Sequence, residues 1–142
     1  MYKNILFATD LTEDTEYLIE KVRTIRGLTG AKLQLVHVVE PLPGYNYAYL
    51  GIEDIEGQLI EEARQAIDKL AEKLNVGKTD TYVEVGATKT RVLKIADDIK
   101  ADLIVCGSHG RHGLSLLLGS TANAILHGAN CDVLTVRLPE TE

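Results

Sequence analysis

Residues 107–121, "GSHGRHGLSLLLGST", concentrate glycine and hydroxyl side chains in one stretch. Gly107 and Gly110 lack the Cβ that would keep a ligand at a distance, and they accept backbone angles closed to other residues. Successive exposed N–H groups in such a loop can surround an anion. Gly119, Ser120 and Thr121 stand at a helix start, where the first N–H groups lack internal partners and carry the positive end of the dipole. The chemistry implied is a phosphate cradle of mainly neutral groups, with His109, Arg111 and His112 as its basic side chains. The structural alternative is plain: glycines after a strand form turns, and Ser or Thr before a helix caps it.

Such a cradle works only if rigid elements bring its parts together. Residues 4–9, 31–39, 80–85, 101–106 and 132–137 are apolar runs of strand length. Between them, helical spacing is carried by Leu18, Val22 and Ile25, and again by Val92, Ile95, Ala96 and Ile99. The longest amphipathic pattern, residues 53–75, places Ile55, Leu59, Ala63, Ala66, Ile67, Leu70 and Leu74 at steps of three and four. It does so despite Gly57, which costs about 1 kcal/mol in a helix. Residues 120–127 make the fourth helix, and Thr12 is a cap for the first, opened by Glu13 and Asp14.

Strands alternating with helices define βαβ units with right-handed crossovers. The expected fold is α/β, a three-layer open parallel sheet of five strands in the order 3-2-1-4-5 with four helices. Ligands of such sheets settle beyond the carboxyl ends of the strands, where connections diverge to the two sides. In this order that point lies between strands one and four, so the loops at 9–12 and 107–118 face each other. Asp10 is the carboxylate at the heart of the site; its roles are to cap the turn that follows or to contact a ribose or a metal ion.

The residues quoted, together with "MYKNILFATDLTE", "LVHVVEP", "VEVGATKTRVLKIADDIKADLIVCGSHGR" and "LLLGSTANAILHGANCDVLTVR", resemble the universal stress proteins of the single-domain bacterial type over essentially the whole chain. The nucleotide-binding branch of that family carries Gly-x2-Gly-x9-Gly-Ser/Thr. Gly107, Gly110, Gly119 and Ser120 match it in type, with eight residues in place of nine between Gly110 and Gly119. The resemblance implies an adenine-nucleotide-binding, Rossmann-like fold with ATP as ligand, accompanied by Mg²⁺. It implies that Gly107, Ser108, His109, Gly110, Gly119, Ser120 and Thr121 surround the phosphates. Ala8, Thr9 and Asp10 would meet the adenosine, and Val38 would offer backbone hydrogen bonds to adenine. It further implies a homodimer paired through residues 132–137, which would otherwise leave an unpaired sheet edge.

Composition narrows the classes further. A chain of 142 residues fits one domain over residues 1–142 with a single core. A formal charge of −6 with fifteen scattered basic residues excludes a nucleic-acid-coating surface and an acidic-membrane-binding one. No apolar run approaches a membrane span, and the first residues run directly into a strand, so a cytoplasmic protein is expected. Cys106 and Cys131 lack metal-type spacing and read as buried thiols. His109 and His112 are phosphate contacts or exposed loop residues. His37 reads as a residue of a buried strand and His127 as a helix-end cation, neither of them a ligand. Tyr45, Tyr47 and Tyr49, two apart, cover either a ligand or the sheet edge.

Three functions fit these residues. The first is an ATP-binding regulatory protein of the stress response, with residues 108–118 responding to the nucleotide. The second is a slow ATPase using the same cleft, with Asp10 on Mg²⁺. The third is a nucleotide-free dimeric interaction module. A P-loop Gly-Lys-Ser/Thr is absent, which leaves nucleotidyl or phosphoryl transfer by that route without support.

Overall fold

The computed structural model describes residues 1–12, 15–41, 55–108 and 120–138. Its elements alternate along the chain as the apolar runs predict. They are β1 (Asn4–Ala8), α1 (Thr15–Thr29), β2 (Lys32–Val39), α2 (Ile55–Leu74), β3 (Thr81–Val85), α3 (Thr88–Asp98), β4 (Leu103–Gly107), α4 (Ser120–Gly128) and β5 (Asp132–Val136). A single 3₁₀ turn, Lys78–Asp80, leads into β3. The five strands form one sheet in the order β3-β2-β1-β4-β5, and every neighbouring pair is parallel.

The inner strands are mainly apolar because both faces of the sheet are covered, with Asn4 of β1 and Lys32, Gln34 and His37 of β2 as the polar members. Ile5 and Phe7 of β1, Leu33 and Leu35 of β2, and Leu103 and Val105 of β4 pack against Leu18, Ile19 and Val22 of α1. Ile67, Leu70, Ala71 and Leu74 of α2 complete that cluster. The alternate residues, Leu6, Val36, Val38 and Ile104, turn to the other face and meet Val92, Ile95 and Ala96 of α3 with Ile125 of α4. The strand period of two thus sorts one set of residues into two separate cores.

Helix ends are closed by local chemistry. Gly30 follows α1 at φ +68, a left-handed conformation open to glycine, and its N–H returns to Arg26 C=O at 2.8 Å. Two arginines of α1 satisfy the last carbonyls of α2. Arg23 Nη2 donates to Lys73 C=O at 2.6 Å, and Arg26 donates to the carbonyls of Leu74 and Asn75. The two helices on that face are thereby joined at the end of the sheet where its strands begin.

Thr12 N–H and its hydroxyl both donate to Asp10 Oδ1, at 3.0 and 2.7 Å, and the Thr12 carbonyl accepts Thr15 N–H at 3.0 Å. A hydroxyl that donates to Asp10 keeps its lone pairs for helix N–H groups, and the Glu13 and Asp14 end of the expected cap lies outside the described residues. Glu13, Asp14, the tyrosines at 45, 47 and 49, and the leucine-rich residues 114–118 lie outside the described residues. Among the described residues no helix is long and apolar enough to cross a membrane.

Phe7 is fully buried in the centre of the sheet, whereas Leu28 is 80% exposed. Phe7→Ala is expected to lower stability by about 3–5 kcal/mol, and Leu28→Ser to stay within about 0.5 kcal/mol. Urea unfolding of the two variants checks the contrast.

Candidate functional site

The sheet order fixes the place of the cleft. From β1 the chain moves through α1 to β2 and through α2 to β3, with both helices on one face. It then crosses back through α3 to β4, on the other side of β1, with α3 and α4 on the opposite face. Beyond the carboxyl ends of β1, β2 and β4 the two layers part. The cleft left there is lined by Ala8, Thr9 and Asp10 after β1, Val38 of β2, Gly107 of β4 and Thr121 of α4.

Thr9 is the best-tied residue of this group. Its N–H donates to Val36 C=O at 3.0 Å, and its carbonyl takes His37 Nδ1 at 2.8 Å. Because a carbonyl only accepts, Nδ1 carries a proton in this contact. Thr9 Oγ1 accepts Leu11 N–H at 3.0 Å and lies 3.1 Å from Thr15 Oγ1, with both hydroxyls buried. Thr9 therefore ties the start of the β1–α1 connection to β2 and to α1.

Asp10 shapes the same loop from the other side. Its Oδ1 holds Thr12, closing a small side-chain ring, so the turn-capping role weighed from sequence is physically present. Oδ2 takes no partner among the described residues, and Asp10 is part of the cleft lining.

Val38 contributes backbone. Residues of a parallel strand present N–H and C=O to alternate sides. Val36 C=O faces β1, where it accepts Thr9 N–H, and Val39 C=O faces β3, where it accepts Gly86 N–H at 3.0 Å. Val38 is thus turned to the β1 side, but β1 ends opposite Val36. Its N–H and C=O point into the space that β1 has vacated.

The glycine-rich segment is only partly visible in this geometry. Gly107 lines the cleft, yet the Cβ it lacks would point at Leu138 Cδ1, 2.8 Å away, with Leu18 Cδ1 at 3.6 Å. A side chain at this position would have to displace the tip of Leu138. Ser108 faces β5: its N–H donates to Val136 C=O at 2.8 Å and its hydroxyl accepts Leu138 N–H at 3.2 Å. Ser120 and Thr121 are exposed in the first turn of α4, with Thr121 on the cleft and Ser120 outside its lining. His109, Gly110, Arg111, His112 and Gly119 lie outside the described residues.

Sequence reasoning passed over three residues of the lining. His37 was set aside as part of a buried strand, although a ring nitrogen so near a strand end can reach the neighbouring loop. Thr88 opens α3 with its N–H and hydroxyl on Glu40 Oε1, at 3.3 and 2.7 Å; Thr before a helical pattern was the available signal. Cys106 forms part of the floor, and burial pushes its thiol upward while the Thr135 hydroxyl opposes the shift. It remains a protonated thiol at neutral pH. Cys131 is only half-buried, and burial followed by Asp132, Asp102 and Asp97 pushes its thiol up as well.

Thr9→Val keeps the shape of the side chain and deprives Leu11 N–H and the Thr15 hydroxyl of their partner. A loss of about 1–3 kcal/mol in chemical unfolding is expected. The double variant Thr9→Val with Thr15→Val should cost less than the sum of the two single changes, because they share one contact.

Comparison with known proteins agrees with this geometry. The profile of the universal stress protein family matches residues 1–137. The chain is 45% identical to universal stress protein A homolog 2 of Coxiella burnetii, with 96% of each chain covered. It is 38% identical to homolog 1 of the same organism, with 98% of this chain and 99% of the other covered. Among solved structures it superposes on the protein MJ0577, known by sequence from Methanocaldococcus jannaschii, with a TM-score of 0.84, 27% identity and 99% of each chain covered. It also superposes on a universal stress protein solved in complex with cAMP, with a TM-score of 0.61, 26% identity, and 95% and 96% covered. A matching profile over nearly the whole length, close relatives and a shared fold lead to one conclusion: the chain belongs to the universal stress protein family.

Proposed function

We propose that this protein binds ATP in the cleft beyond β1, β2 and β4 and acts as a nucleotide-dependent regulator in the stress response. The observation that carries this reading is Val38, whose outward N–H and C=O complement the N1 acceptor and N6 amino donor of adenine. Ala8 and Val38 supply apolar cover for a base, and Thr121, in the first turn of α4, lines the same space, where a helix start has N–H groups to offer an anion. Gly110, Gly119, Ser108, Ser120 and His109 complete the phosphate side in this reading, as the family pattern suggests. The related structure with bound cAMP supports an adenine nucleotide as the ligand class.

The cleft also fits Mg²⁺ in the way that ion is usually held, by one or two carboxylates together with phosphate oxygens and water. Asp10 Oδ2 is the group that would take it, while Oδ1 stays on Thr12. When bound, the ion would neutralise phosphate charge beside an acidic chain of formal charge −6. The role is one of binding, with the occupied state read by other molecules in the cytoplasm.

Small molecules released from the purified, denatured protein are expected to include intact ATP, identified by mass spectrometry. Gly119→Val should lose it while keeping the same far-UV circular dichroism. Protein that neither retains nor binds ATP would sink the reading, and conversion of labelled ATP in a single turnover, abolished in Asp10→Ala, would replace it with the hydrolase.

The same proposal includes a homodimer through β5. That strand lies at the sheet edge, paired with β4 on one side only, and Leu134 is 36% exposed. Val136 C=O faces inward to Ser108 N–H, so Thr135 N–H faces outward by the strand alternation. Thr135→Pro removes an outward donor without touching the β4 ladder. Light scattering should show the mass falling from dimer to monomer; a monomeric wild type would refute the pairing.

A further inference from the structure

We infer that His37 and Thr9 are positioning residues that hold the backbone of Val38 open for an adenine base. They do so by taking for their side chains the two groups of the β1 strand's extension that the ladder would otherwise give to Val38. The inference rests on the nucleotide reading of the cleft and adds to it the device that creates the base-binding edge.

Parallel pairing follows a fixed order, so the bond from Thr9 N–H to Val36 C=O determines which rungs come next. Val38 N–H would donate to Thr9 C=O, and Leu11 N–H would then donate to Val38 C=O. Neither bond is made among the described residues. Thr9 C=O is taken at 2.8 Å by His37 Nδ1–H. Leu11 N–H is taken at 3.0 Å by Thr9 Oγ1.

The second capture forces the chain off the strand path. Leu11 stands at φ +57, a conformation that costs a non-glycine residue about 1–3 kcal/mol and persists only where surrounding bonds impose it. Those bonds are the Thr9 hydroxyl on one side of Leu11 and the ring that Asp10 forms with Thr12 on the other. β1 consequently stops opposite Val36 while β2 continues to Val39. Val38 keeps a donor and an acceptor for a ligand because two side chains have satisfied its natural partners.

A role in ladder termination predicts effects that loss of packing would not produce. Adenine offers an acceptor at N1 and a donor at N6, whereas hypoxanthine presents a donor and an acceptor at those places, so ATP against ITP reports on Val38 directly. In nucleotide-free protein, His37→Leu is expected to slow exchange of the Val38 amide by at least about tenfold as the missing rung forms. It should weaken ATP about tenfold and bring the preference for ATP over ITP towards one. His37→Asn, whose amide N–H occupies the place of Nδ1–H, should restore both properties. Should His37→Leu fail to fold, His37→Gln, which reaches past that place, serves as the loss variant.

Unchanged Val38 exchange with unchanged ATP preference in the loss variant overturns the inference, as does His37→Asn impaired as badly as His37→Leu. If the exchange contrast is found but wild-type protein binds neither ATP nor ITP, the nucleotide reading is overturned, and the adenine part of the inference with it.

Discussion

The position of β1 governs the rest of the molecule. It is the first strand of the chain and the middle strand of the sheet, flanked by β2 and β4 in parallel register. Right-handed crossovers then leave no freedom: α1 and α2 must cover one face and α3 and α4 the other. A central strand covered on both sides has to be apolar at its middle, and "NILFA" meets that demand with Ile5 and Phe7 in one core and Leu6 in the other. The cleft is what remains where the two helical layers separate. Binding geometry and folding geometry thus have a common origin.

On that frame the fine structure of the cleft is polar and local. Three side chains, Thr9, Asp10 and His37, satisfy four groups of the β1–α1 connection and its surroundings without help from regular secondary structure. Part-buried hydrogen bonds of this kind contribute only about 1 kcal/mol each, yet leaving one partner unmatched costs more, so each of the four favours the conformation seen at residues 9–12. Leu11 in the left-handed region shows that the arrangement is imposed on the chain.

Much of this could be read in advance wherever side-chain pattern decides the outcome. The five strands and the four helices follow from apolar runs and helical spacing, the sheet order is the one expected, and boundaries shift by one or two residues, as at β4 and α2. The sheet order brings the loops after β1 and β4 to the cleft, and with them Thr9, Asp10 and Gly107, whereas Ala8 and Val38 are implied only by the family resemblance. What escaped was decided by backbone direction and by competition between neighbours. His37 in an apolar run looks like core until the pairing of Thr9 with Val36 shows which carbonyl lies within its reach. The Asp10 bond to the Thr12 hydroxyl and the nearness of the Leu138 tip to Gly107 are likewise decided by neighbours that no spacing rule connects.

Leu138 closes one wall of the cleft from beyond the last strand, with its N–H on the Ser108 hydroxyl and its side chain against Gly107. The contact makes position 107 a gauge. A methyl group added there would press on the segment leaving β5, so the tolerance of that position for alanine measures how firmly the end of the edge strand is anchored to the interior.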